Sequence, residues 1–102
     1  MSLRQQQSEF AKALGLLLIF IHHEGYEVTL GDAWAREDEG AHRLGSFHYK
    51  RLAIDLNLFK GGEYLTETED HRRFGEYWVS LGGTWGGDFP QKDGNHYSFG
   101  EY

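Results

Sequence analysis

Residues 51–59 read Arg-Leu-Ala-Ile-Asp-Leu-Asn-Leu-Phe, and this stretch decides the fold. Every second residue is a large apolar one, namely Leu52, Ile54, Leu56 and Leu58. Alternation with a period of two is typical of a β-strand that buries one of its faces. We therefore predict a strand over residues 51–59 that carries Asp55 on the face opposite its leucines.

The chain before this strand predicts a helix and a first strand. Apolar residues repeat at helical spacing and end at Gly25; they are Phe10, Leu14, Leu17, Leu18 and Ile21. Residues 26–30 then alternate as a strand. His22 and His23 fall in the last turn of the helix, where we expect them to face solvent.

The chain after the strand predicts a hairpin and a second helix. Residues 60–62 form a turn, and residues 63–65 return as a short hairpin arm. Thr66 or Thr68 can cap the helix, with His71 in its first turn capping or facing water. The predicted apolar face consists of Phe74, Tyr77, Trp78 and Leu81. Two helices with three or four short strands in this order indicate an α+β domain with a small antiparallel sheet.

Length and composition narrow the classes of function. We interpret residues 1–102 as a single domain, because 102 residues leave no room for a second core. The chain has no cysteine, so any metal must be held by histidine and carboxylate. A net charge of −6 argues against binding nucleic acid. The longest apolar run, residues 16–21, is far shorter than the ~20 residues that a membrane span needs, and we find no signal peptide.

Two short segments carry the residues that point to chemistry. His48 and Asp55 are seven residues apart, and they can meet only if the chain turns between them, before the strand. Alone, that spacing is weak evidence. The second segment, Asp93-Gly-Asn-His96, places an acid three residues before a histidine, as suits a general base beside a metal ligand. Two histidines and one carboxylate with an open position are typical of a catalytic zinc site.

The two segments together resemble a known family. Residues 46–55 read S-x-H-x-x-x-x-A-x-D, and the later D-x-x-H spans residues 93–96. This joint motif resembles the M15 family of zinc peptidases, which includes D-alanyl-D-alanine carboxypeptidases of the VanY type and phage L-alanyl-D-glutamate endolysins. The resemblance covers residues 25–99 and is greatest to the short phage-encoded branch.

The resemblance implies a fold and a set of site residues. The fold would be Hedgehog/DD-peptidase-like, a small antiparallel sheet flanked by helices. Zn²⁺ would be held by His48, Asp55 and His96, and Asp93 would be the general base that activates water and then protonates the leaving amine. Arg36 would polarise the scissile carbonyl and contact substrate, with Arg43 as a rival, and Ser46 would lie by the substrate.

The expected function is hydrolysis of peptidoglycan stem peptides by a zinc metallopeptidase, by cleavage between L-Ala and D-Glu. The alternatives are a D-alanyl-D-alanine carboxypeptidase and a non-catalytic zinc-binding, Hedgehog-like module. We expect a monomer whose partner is the cell-wall peptide, with neither nucleic-acid binding nor membrane insertion. Without a signal peptide, the protein would stay in the cytoplasm until release and then act on the cell wall.

Overall fold

Two α-helices and a five-stranded antiparallel sheet make up the computed structural model of the protein, which describes residues 1–33 and 50–99. The elements in chain order are α1 (Leu3–His23), β1 (Glu27–Leu30), β2 (Ala53–Lys60), β3 (Glu63–Leu65), α2 (Thr68–Ser80), β4 (Thr84–Trp85) and β5 (His96–Ser98), with one 3₁₀ turn at Gly86–Asp88. The α+β prediction is confirmed. The sheet gains β4, a strand of two residues that is too short to show any alternation in the sequence.

The strand β2 is the centre of the sheet. β1 pairs along one edge of it, with Val28 opposite Leu58. β3 and β5 share the other edge, since β3 pairs with residues 58–60 and β5 with residues 53–55. β4 then pairs with β5 and completes the order β1-β2-β5-β4. β2 is thus paired with other strands along both of its edges, which satisfies backbone groups that a buried strand cannot leave unpaired.

The hydrophobic core lies between the helices and one face of the sheet. Both helices and the apolar face of β2 contribute to it through Phe10, Leu17, Ile21, Ile54, Leu56, Leu58, Phe74 and Trp78, all at most 6% exposed. Asp55 and Asn57 alternate with these residues and are only partly buried. The predicted placement of Asp55 opposite the leucines is therefore confirmed.

The start of α2 differs from the prediction by one residue. Glu67, and neither Thr66 nor Thr68, occupies the cap position, and the helix begins at Thr68. The Asp70 carboxylate accepts a hydrogen bond from the Glu67 backbone N–H at 3.0 Å. The acid at the third residue of the helix thus satisfies the backbone N–H of the cap residue.

No helix within residues 1–33 and 50–99 combines the length and the apolar character that crossing a membrane requires.

Candidate active site

Asp55 and His96 lie side by side on two paired strands. They are directly opposite each other in the antiparallel β2–β5 pair, so both side chains point to the same face of the sheet. Asp55 Oδ1 is 3.8 Å from His96 Nδ1. The backbone of Asp55 is fixed on its other edge by hydrogen bonds with Gly31 N–H at 2.7 Å and the Asp32 carbonyl at 3.0 Å. The sheet therefore brings together two of the three predicted metal ligands.

The turn before β5 places Asp93 next to the same histidine. The His96 backbone N–H donates to the Asp93 carbonyl at 3.1 Å, which closes a tight turn over residues 93–96. The Trp85 indole N–H donates to the Gly94 carbonyl at 2.7 Å and ties the turn to the core. A side chain at position 94 would come within 2.6 Å of the Thr68 backbone, so glycine lets the turn approach α2 closely.

The three side chains differ in their access to solvent. The side chain of His96 is 5% exposed, that of Asp55 is 22% exposed and that of Asp93 is 53% exposed. Asp93 Oδ2 is 4.0 Å from His96 Nδ1, the same nitrogen that faces Asp55. A buried histidine and a partly buried acid, with a more accessible acid beside them, are a suitable arrangement for a bound ion and a proton-transfer group.

The chemistry of this donor set fits zinc. Two ligands of one tetrahedral zinc ion lie roughly 3.4 Å apart, and the Asp55 and His96 donor atoms are 3.8 Å apart. The described residues contain no group of three histidine, cysteine or acidic side chains placed to bind one ion. A three-ligand site therefore requires a donor from elsewhere in the chain. His48, the remaining predicted ligand, lies outside the described residues, as do Arg36, Arg43 and Ser46.

The turn that the sequence predicts before β2 is present. Arg51 has a φ of 58°, in the left-handed region that residues other than glycine rarely adopt. The chain therefore changes direction sharply two residues before Ala53 begins β2. This is the geometry that a residue upstream of the turn needs if it is to approach Asp55.

His71 is the residue whose environment the sequence prediction got wrong. It is 3% exposed, and its Nδ1 lies 2.8 Å from the hydroxyl of Tyr97, the residue after His96. Burial lowers the pKa of His71 from 6.5 to about 4, and burial raises the pKa of Tyr97. The spacing of His71 in the sequence could have indicated its burial, because it lies on the same face of α2 as the buried residues Phe74, Gly75 and Trp78.

A groove of about 260 Å³ opens beside Asp93. Its walls are residues 64–68, which connect β3 to α2, and residues 92–95, and His71 also lines it. Most of these residues are polar. The groove joins the candidate proton-transfer group to a space large enough for part of a peptide.

Comparison with known proteins identifies the family and the fold that this chain resembles. The model of the M15 peptidase family described as D-alanyl-D-alanine carboxypeptidase matches residues 39–99, more than half of the chain. The crystal structure of Serratia marcescens L-Ala D-Glu endopeptidase ChiX superposes with a TM-score of 0.70 at 15% identity, over 90% of this chain and 78% of that one. No curated protein sequence matches. The structural likeness confirms the fold class implied by the resemblance, and the family match over residues 39–99 shows that this chain belongs to the M15 family of peptidases.

Proposed function

We propose that this peptidase is zinc-dependent and cleaves peptidoglycan stem peptides between L-Ala and D-Glu. One observation carries the proposal: Asp55 and Asp93 approach the same nitrogen of a buried histidine, at 3.8 Å and 4.0 Å. Two of these groups match the predicted metal ligands, and the third matches the predicted base. Their convergence from β2 and from the turn before β5 is what a hydrolytic site needs.

The metal would be held by Asp55 and His96 together with His48. When bound, zinc supplies Lewis acidity, which polarises a carbonyl and lowers the pKa of water. The sheet holds Asp55 and His96 in fixed positions before any ion arrives, because their backbones are hydrogen-bonded between strands. A preformed pair loses less conformational entropy on binding than two mobile side chains would.

Asp93 is proposed to move the proton. It stands more open to solvent than Asp55, so its carboxylate can meet both water and substrate. It takes a proton from the attacking water as the water oxygen bonds to the scissile carbonyl carbon. It then gives that proton to the leaving nitrogen as the C–N bond breaks, which leaves a free amine and a carboxylic acid that ionises in water.

Arg36 is proposed to polarise the scissile carbonyl, with Arg43 as the other candidate, and Ser46 to contact the substrate. These assignments rest on the resemblance alone, since all three residues lie outside the described part of the chain. A charged guanidinium near the carbonyl oxygen would stabilise the negative charge that develops there.

The endopeptidase reaction is favoured over removal of a terminal D-Ala. The groove beside Asp93 is open, and an endopeptidase must accept peptide on both sides of the scissile bond. The structural neighbour is described as an L-Ala D-Glu endopeptidase, which adds support. D-Alanyl-D-alanine carboxypeptidase is the second candidate, because the matching family model carries that description.

A synthetic stem pentapeptide tests the proposal. We expect zinc-loaded protein to release L-Ala from the D-Glu-containing fragment, and mass spectrometry identifies the products. Asp93→Asn is the matched control, because it should retain zinc and lose hydrolysis. Release of free D-Ala with the L-Ala–D-Glu bond intact would favour the carboxypeptidase. Zinc binding without hydrolysis of either bond would favour the non-catalytic module.

A further inference from the structure

The groove beside Asp93 has a buried histidine in its wall. His71 is 3% exposed, and Nδ1 is its hydrogen-bonded ring nitrogen. Within the described residues, Tyr97 has no other hydrogen-bond partner for its hydroxyl. The buried hydroxyl proton is therefore satisfied only when Tyr97 donates it to Nδ1. In a neutral imidazole, that assigns the ring proton to Nε2, which becomes a donor.

A lysine supplies the positive charge in the groove. Lys92 lines it, and its ammonium makes one long hydrogen bond, 3.5 Å, to the Gly87 carbonyl. An ammonium has three N–H donors, so two remain for a ligand. Glu67 and Asp93 also line the groove and contribute negative charge. Lys92 is thus the one cationic side chain among the described residues that line the groove.

The proposed chemistry says which part of the substrate lies there. Asp93 must reach the leaving nitrogen to protonate it, and Asp93 forms part of the groove wall. The residue that carries the leaving amine therefore lies on the groove side of the scissile bond. Both candidate bonds place a carboxylate on that residue, either the free carboxylate of D-Glu or the terminal one of D-Ala.

We infer that the groove is the subsite for the leaving residue and binds its carboxylate through the Lys92 ammonium and the His71 Nε2–H. The inference rests on the proposed function, since the role of Asp93 decides which part of the substrate lies in the groove. A carboxylate that accepts hydrogen bonds from an ammonium and a buried N–H is recognised by both charge and geometry. The groove would then select the substrate as well as hold it.

Matched peptides test the inference. One pair carries D-Glu with either a free carboxylate or a carboxamide after L-Ala, and a second pair ends in D-Ala as the acid or the amide. We expect the wild-type protein to prefer the acid in the pair it cleaves. Lys92→Gln should reduce that preference about tenfold, mainly through KM, because the positive charge that strengthens the hydrogen bond to the carboxylate is lost. Hydrolysis of the amide peptide should fall by less, because the amide has no negative charge to pair with the ammonium.

Two control variants distinguish recognition from general charge. Lys12→Gln removes the same charge from α1, outside the groove, and should leave the acid-to-amide ratio unchanged. Glu67→Gln should raise the preference for the acid, because it removes a negative charge from the groove. His71→Gln keeps an N–H donor and should retain more of the preference than His71→Leu.

The outcomes separate the inference from the proposed function. An equal acid-to-amide ratio for wild type and Lys92→Gln, with hydrolysis intact, would overturn the inference alone. Absence of hydrolysis of every peptide by the wild-type protein would overturn the proposed function and the inference with it. Cleavage of the D-Glu pair or of the D-Ala pair identifies which carboxylate the groove receives.

Discussion

His71 makes the stability of this fold depend on pH in a direction that the structure fixes. The folded protein holds His71 neutral, with a pKa of about 4, whereas an exposed histidine has a pKa of 6.5. Between these values the unfolded chain binds a proton that the folded protein does not bind. The free energy of unfolding therefore falls as the pH falls below 6.5. Above pH 6.5 His71 is neutral in both states and does not lower the stability.

The magnitude follows from the two pKa values. At about 1.4 kcal/mol for each pKa unit, the difference between 6.5 and about 4 corresponds to roughly 3 kcal/mol once the pH is below both. By pH 5, where only the unfolded chain is largely protonated, the loss is about 2 kcal/mol. A stability difference of that size is a large fraction of what a small domain possesses.

Urea unfolding followed by tryptophan fluorescence measures this loss, because Trp78 and Trp85 are buried. We expect the free energy of unfolding to decrease between pH 7.5 and pH 5 by about 2 kcal/mol less in His71→Gln than in the wild type. Comparing the two proteins cancels the contributions of the other histidines and of any bound metal. His22→Gln, at the exposed end of α1, should keep the wild-type decrease. An equal decrease in wild type and His71→Gln would refute the reasoning.

The remaining predictions concern the site and the packing of α2. Asp93→Asn should retain zinc by elemental analysis and lose about 10²–10⁴-fold in kcat; loss of zinc would make Asp93 a ligand. His96→Ala and His48→Ala should each lose most of the metal, as elemental analysis would show, and become less stable; full zinc retention would exclude them as ligands. Gly75→Ala would place a Cβ 2.1 Å from the Trp85 ring and should cost about 1–3 kcal/mol in urea unfolding. Gly15→Ala, at a helical position with open space around it, should instead raise the free energy of unfolding by about 0.5–1 kcal/mol. Equal effects of Gly75→Ala and Gly15→Ala would contradict the close contact between Gly75 and Trp85.

The sequence predicted the elements whose pattern is local. The alternation of residues 51–59 predicted β2 and the side of the sheet on which Asp55 lies, and both are confirmed. The helical stripe of α1 was equally visible, because burial of one face leaves a period of 3.6 residues in the sequence. The short acid-to-histidine spacing of residues 93–96 likewise indicated two side chains close together, since one turn spans it.

Features that depend on distant segments were missed. His71 was expected at a solvent-facing helix start, yet its hydrogen-bond partner Tyr97 comes 26 residues later and meets it only in the folded sheet. The strand β4 has two residues, which is too few for a pattern. The groove beside Asp93 combines residues 64–68 with residues 92–95, so no single stretch of sequence could predict it. Such features follow from packing, which local patterns do not encode.

Digestion of purified peptidoglycan by the zinc-loaded protein, followed by mass spectrometry of the fragments, tests the proposed peptidase activity most directly. We expect fragments with a new amino terminus at D-Glu from the wild-type protein. The same protein stripped of metal, and Asp93→Asn, should release none. Fragments that have lost only terminal D-Ala, or peptidoglycan left intact by the zinc-loaded wild type, would contradict the proposed cleavage.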